Sequence, residues 1–350
     1  MAGLHLQFGS DASREAVVSW HTTTSVANPR VRYGTSHGGF GRTEQAQTTT
    51  YRDGKSGTEV QVHHARLTGL NPDTDYVYAA LHDGATPELG TLRTAPRGRG
   101  AFTFTSFGDQ ATPTLGKPSG TSYVSDNLGS PAAGDTTAGV ERIAPLFHLV
   151  NGDLCYANLS TDRVRTWSDW FENNSRSARH RPWMPAAGNH ENELGNGPVG
   201  YGAYQAYFSL PEAGADQQLS GLWYAFTAGA VRVISLNNDD IAYQDGGNSY
   251  VHGYSGGAQQ RGWRPSWRLP TRTRGSTGSW SACTRWWCPP PTRPTARTLA
   301  SGRPGCRCST ATAWTWWSAA TSTTTSARTR SGASSPPTPV PRSRSPPAPS

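Results

Sequence analysis

The chain has 350 residues, 34% of them hydrophobic, with 39 Gly, 26 Pro and 13 Trp, a composition expected of a turn-rich globular protein long enough for two domains. No run approaches the roughly eighteen apolar residues of a membrane span, and five cysteines, four of them late, do not make the framework of a small disulfide scaffold. The net charge of +8 averages two unlike parts: residues 1–260 carry 18 Lys+Arg against 24 Asp+Glu, or −6, and residues 261–350 carry 14 Arg and no acid, or +14.

From Leu4 to about Arg93 the chain runs in short alternating stretches broken by turn residues. Leu4, Leu6 and Phe8 alternate, as do Val18 and Trp20, Val31 and Tyr33, and Tyr76 and Tyr78, with breaks at Asp53-Gly54 and Asn71-Pro72. Period-two runs at such intervals predict an antiparallel β-sandwich. Leu67 to Tyr76 resembles the corner before a late strand of fibronectin type III modules, where a Leu plugs the core and a Tyr tethers the turn. Trp20 and Tyr76 read as core packing, and His63 and His64 as strand residues rather than ligands. Thr94 to Gly100 reads as a linker, which makes residues 1–97 a scaffold domain. No charged start followed by an apolar stretch precedes Leu4-His5-Leu6, so no secretory signal is expected in the chain as written.

The middle segment, residues 101–260, repeats one device three times. Phe102 to Phe107 leads into Gly108-Asp109-Gln110. Leu146 to Val150 leads into Asn151-Gly152-Asp153-Leu154-Cys155-Tyr156, and Trp183 to Ala187 leads into Gly188-Asn189-His190-Glu191. A buried strand ending in such a turn delivers an oxygen donor to the carboxyl edge of a sheet, where α/β proteins bind ligands. Glycine lets the backbone turn sharply and come close to an ion. Two carboxylates, a phenol and an amide oxygen suit hard cations, and ferric iron suits the phenolate. Two such ions about 3.5–4 Å apart would activate a bridging water and clamp both oxygens of a phosphoryl displacement. His190 could then protonate the departing alkoxide. Each motif is weak alone. The ordered set, with 44 residues from Asp109 to Asp153 and 36 from there to Asn189, carries the reading.

On these motifs, residues 4–258 resemble the purple acid phosphatase family of metallophosphoesterases: a fibronectin-like front domain followed by a catalytic α/β/β/α sandwich. The resemblance implies a phosphoric monoester hydrolase with a dinuclear centre, Fe(III) with Zn(II), Mn(II) or Fe(II). It implies that Asp109 and Tyr156 bind the iron, that Asp153 bridges both metals and that Asn189 binds the divalent ion. His190 becomes the adjacent catalytic histidine. The family usually has Gly where Ala111 stands. Ala225-Phe226 and Val231 to Leu236 look like the strand pair before later motifs, and Asp239 and Asp240 read as a polar turn. Such relatives are commonly exported. The substrate would be a small-molecule or protein phosphate ester.

The family also needs three later histidines, one after a strand and two in a Gly-His-Xaa-His motif, yet the last histidine here is His252. The tail from residue 261 uses only ten residue types, with eight Trp, and Ser334 to Ser350 contains seven Pro. Its expected state is disordered or non-native. Cys283, Cys288, Cys306 and Cys308 fit no strong zinc spacing. The charge would attract nucleic acid, but the tail carries no domain signature for it. A frameshift accounts for the tail better. Trp has one codon, so Trp316-Trp317 read from the third base gives Val, and Trp314-Thr315 gives Asp. In that phase Ala313 to Ala327 can spell Val-Asp-Leu-Val-Val-Cys-Gly-His-Glu-His-His-Tyr-Glu-Arg, and Trp280 to Pro290 can spell Val-Gly-Leu-His-Gln-Val-Val-Val-Ser-Thr. Both are what the family would place there, with the slip near Gln260 or Arg261. The chain as written is therefore expected to be an impaired phosphatase. The alternative is a non-catalytic binding protein retaining the β-sandwich and a partial metal site.

Overall fold

A computed structural model describes residues 1–111, 133–160, 162–212, 216–241, 253–266 and 278–283. The front segment is an eight-stranded antiparallel sandwich. One sheet has the order β1 (Ala2–Phe8), β2 (Ala16–Thr22), β6 (Glu59–Leu67), β5 (Gln47–Arg52). The other has the order β4 (Arg42–Gln45), β3 (Arg30–Thr35), β7 (Asp75–Leu81), β8 (Glu88–Arg93). The predicted alternation packs Leu4, Leu6, Val18, Trp20, Val31, Tyr33, Tyr76 and Tyr78 between the sheets. Each such side chain contributes roughly 1.5–3 kcal/mol through apolar burial. Leu70 is fully buried at the corner, and the Asn71 amide donates to the Tyr76 hydroxyl at 2.8 Å, as the resemblance implied.

Strand β2 is buried at every position, which alternation alone does not explain. Its second face lies against the middle segment. There α2 (Arg163–Ala178) and α3 (Gly202–Tyr207) cover it with Phe171 and Tyr207. Phe8, Tyr51, Val60 and Val62 of the sandwich belong to the same apolar core as Phe147, Trp167, Phe171 and Tyr207. His5, His21 and His64 line this seam, and His63 lies on the other face of β6 beside Trp20. His5 lies stacked on Phe171 at 4.5 Å and bonds the Tyr207 carbonyl at 2.9 Å; His64 bonds the Ala206 carbonyl at 2.9 Å. His63 sits between the Thr22 and Thr48 hydroxyls, at 3.0 and 2.8 Å. Burial lowers His5, His63 and His64 to about 4 and His21 to about 3. A buried polar latch closes one end: Arg163 pairs with Asp53 at 3.3 Å, while Trp167 donates to Glu193 at 2.7 Å.

The residues expected to form a linker are instead bonded in place. Ala95 is fully buried and its amide donates to Ala12 at 2.9 Å, and Arg97 bridges Gly229. Beyond them, β9 (Phe104–Phe107), β10 (Phe147–Val150) and β11 (Trp183–Pro185) form a parallel sheet with β10 in the centre. Helix α1 (Ala133–Glu141) packs beside α2. In a second sheet β12 (Tyr224–Ala228) pairs antiparallel with β13 (Val231–Leu236), as expected for this strand pair. Helix α4 (Ala258–Ser266) then leads to β14 (Gly278–Cys283), which lies parallel to β13. These two elements reach past residue 260. The remainder of the expected disordered or non-native tail, with the cysteines after Cys283, lies outside the described residues. No helix among the described residues is long and apolar enough to cross a membrane.

Candidate metal-binding edge

The three parallel strands end side by side, and each is followed by one of the sequence motifs. Asp109 follows β9, Asp153 and Tyr156 follow β10, and Asn189 and His190 open the 3-10 turn after β11. Because β10 is central, Asp153 stands between the loops that carry Asp109 and Asn189. This is the position a shared carboxylate requires.

The loops are laced together by backbone bonds. The Asp109 amide donates to the Gly152 carbonyl at 3.2 Å, and the Gln110 amide to the Asp153 carbonyl at 3.1 Å. The Gln110 side chain reaches away and ties the first loop to the helices. Its amide nitrogen lies 2.8 Å from Thr137 and from Asn174, and Trp170 donates to its oxygen at 3.0 Å. The Tyr156 hydroxyl donates to Asp109 Oδ1 at 3.2 Å, and the Tyr156 and His190 rings lie 4.1 Å apart. His190 Nδ1 is 3.1 Å from Asn158 Oδ1, an acceptor, so the proton sits on Nδ1. Neither Asn158 nor the side-chain role of Gln110 was legible in the motifs, because both depend on loop-to-loop distances.

Strain concentrates here. Of seven non-glycine residues with positive φ among those described, four are Asp109, Ala111, Asp153 and Tyr156, at 52° to 59°. Left-handed backbone costs roughly 1–2 kcal/mol for a residue with a Cβ. The φ of 52° at Ala111 explains physically why a glycine suits that position. Gly188 has an ordinary extended φ of −90°, but a Cβ there would run into the Asp153 carboxylate and amide.

Electrostatically the edge favours a cation. Burial, followed by the Asp153 and Asp109 carboxylates, raises the Tyr156 phenol well above its usual range. A cation among these oxygens would reverse that effect and favour the phenolate. Burial and the Asp153 charge likewise push Glu191 up to about 8, against the pull of its N–H partners. The oxygen donors thus fit a hard ion. The nitrogen ligands of a two-metal centre do not appear: among the described residues no group of three or more His, Cys, Asp or Glu could hold a metal. The other described histidines with mapped partners are bonded elsewhere, His148 to Glu141 and Ser177 and His180 to Thr91. Asp239 and Asp240, expected in a polar turn, are buried, and Asp240 accepts bonds from Ser255 and Gln259.

Comparison with known proteins adds three findings. Residues 1–94 match the family described as the purple acid phosphatase N-terminal domain. The chain is 70% identical over 261 residues to an uncharacterized protein of Mycobacterium tuberculosis, covering 75% of this chain and 49% of that one. It is 28% identical to a phosphoenolpyruvate phosphatase of Allium cepa (67% and 46% covered) and 27% identical to purple acid phosphatase 18 of Arabidopsis thaliana (67% and 48%). In structure it is similar to a purple acid phosphatase from yellow lupin seeds, with a TM-score of 0.55 and 20% identity over 72% of this chain and 47% of the other. The chain spans about half the length of the relatives it matches.

Proposed function

The chain belongs to the purple acid phosphatase family, and from that membership we propose that its fold is that of a phosphoric monoester hydrolase built for a dinuclear metal centre and impaired in the chain as written. The observation that carries the reading is the convergence of Asp109, Asp153, Tyr156, Asn189 and His190 on one edge of a three-stranded parallel sheet, with Asp153 on the central strand. Asp109, Asp153, Tyr156 and Asn189 are the residues that would hold ferric iron and a divalent partner, which would supply positive charge to the phosphoryl group. With Nδ1 bonded to Asn158, proton donation by His190 to the departing alkoxide falls to Nε2.

Impairment follows from ligand accounting. Each metal lacks at least one nitrogen donor, and the missing imidazoles can be spelled out of phase downstream. The 70% identity to the mycobacterial relative extends over 261 residues, the length of the segment before the compositional break. That agreement supports a slip near codon 260. The histidine shortage also favours the second reading, a non-catalytic protein that keeps the sandwich and a partial metal site.

p-Nitrophenyl phosphate hydrolysis at acidic pH, with metal analysis of the purified chain, tests the proposal. The chain as written is expected to show very low turnover, and one with the frame restored from codon 260 is expected to gain metal-dependent turnover. High activity in the unrepaired chain would overturn the ligand accounting. A repaired chain that takes up neither iron nor zinc nor manganese would leave the binding-protein reading. DNA sequencing across codon 260 decides the frameshift by itself.

A further inference from the structure

Glu191 follows the catalytic histidine in sequence, yet it is fully buried and cannot meet a substrate. Its carboxylate reaches back from the turn after β11 to the loop after β10. Oε2 accepts from the Asp153 amide at 2.8 Å and from the Gly188 amide at 2.8 Å, and Oε1 accepts from the Leu154 amide at 2.7 Å. The lacing is reciprocal, because Asp153 Oδ1 accepts from the His190 amide at 3.0 Å. A side-chain carboxylate from each loop therefore caps backbone donors of the other. Gly188 makes room for the arrangement, since a Cβ there would strike the Asp153 carboxylate and Glu191 Oε2.

We infer that Glu191 is a positioning residue: it fixes the central-strand loop of Asp153 against the loop of Asn189 and His190, holding the shared carboxylate at the spacing that ion binding requires. The inference deepens the proposed function and rests on it. Three short backbone-amide bonds converge on this one carboxyl group and tie the two loops together. Asp153, held at a φ of 53°, needs such a restraint to stay in its left-handed conformation. Glutamine at the position offers one acceptor oxygen and turns an NH2 group toward an amide donor, so at least one bond becomes a repulsion. Aspartate is one methylene too short to span both loops.

The experiment uses the full chain and its Glu191→Gln and Glu191→Asp variants. Amide hydrogen exchange is followed by mass spectrometry over residues 150–156 and 186–191, with β2 and β6 of the sandwich as internal controls. Exchange at Asp153, Leu154 and Gly188 is expected to quicken by about tenfold or more in both variants while the sandwich strands stay unchanged. When the same two substitutions are placed in the frame-restored chain, manganese affinity, read by water-proton relaxation, is expected to weaken by about 10-fold to 100-fold. Exchange that is unchanged at the two loops, or that quickens equally in the sandwich, overturns the positioning role and leaves a general stability role. If the frame-restored chain binds no manganese, the metal reading fails while the exchange comparison still decides whether Glu191 clamps the loops.

Discussion

The seam between sandwich and middle segment and the edge of the parallel sheet both bury ionisable groups, but in contrary fashion. At the seam, His5 and His64 are surrounded by a hydroxyl, backbone carbonyls and aromatic rings, and burial keeps them neutral. At the edge, carboxylates and a phenol crowd together on left-handed backbone. The seam is bonded along most of its length, with His21 Nδ1 and Gln7 Nε2 buried without a partner. The edge accumulates negative charge and strain, which an incoming cation would offset. The difference separates residues that hold the molecule together from those whose charge suits a cation, although buried polar groups occur in both sets, His5 and His64 in one and Asp153 in the other.

The contrast predicts its own breaking points. In a frame-restored chain, Asp153→Ala should lower phosphatase turnover by about a hundredfold or more, with unchanged urea unfolding of the sandwich. Kinetics and denaturation on one preparation check this.

The seam should respond to acid instead. Its three histidines, together with His63 inside the sandwich, sit at about 4 or lower in the folded chain against an ordinary 6.5. Below pH 6.5 the unfolded chain takes up protons that the folded chain refuses, so stability falls until about pH 4, where the folded histidines protonate. Each can contribute up to roughly 3 kcal/mol to that loss. Glu193, raised to about 7 by burial, acts in the opposite direction, losing stability as pH rises from 4.5 to 7. Glu191, raised to about 8, acts in the same direction as Glu193, but the four histidines outweigh the two glutamates, so the urea midpoint climbs from pH 4 to 6.5, and a flat profile would contradict this.

Smaller effects come from the backbone. Gly188→Ala should cost about 1–3 kcal/mol, through overpacking against Asp153, and loosen the edge without disturbing the sandwich. Ala111→Gly should stabilise by about 0.5–1 kcal/mol, the relief of left-handed strain less the added chain entropy of glycine. Thermal melts resolve both.

Much of this was legible in the residues. The alternation of Leu4, Leu6, Val18 and Trp20 marked the sandwich, and the three Gly-Asp or Gly-Asn turns marked the edge, because local period and turn chemistry act over a few residues. The second buried face of β2 was not visible, since its cover, Phe171 and Tyr207, lies about 150 or more residues away. The same distance hid the roles of Glu191 and Asn158, whose partners belong to another loop. Asp240 does lie in a turn, Asn238–Asp240, but its burial, like that of Ala95, was hidden because polar or small residues give no sign of a partner when read along the chain.

The Arg97 bridge has a practical consequence. With Arg97 bridged to Gly229, Asp11 to Thr227, and Thr227 exchanging backbone bonds with Ser10 and Ala12, the join between the modules is a weld. Splitting the gene at residue 97 would strip Phe171 and Tyr207 of their cover, so the separated halves should precipitate on expression. For the same reason, exchange of genetic segments would have to carry both modules as one heritable block.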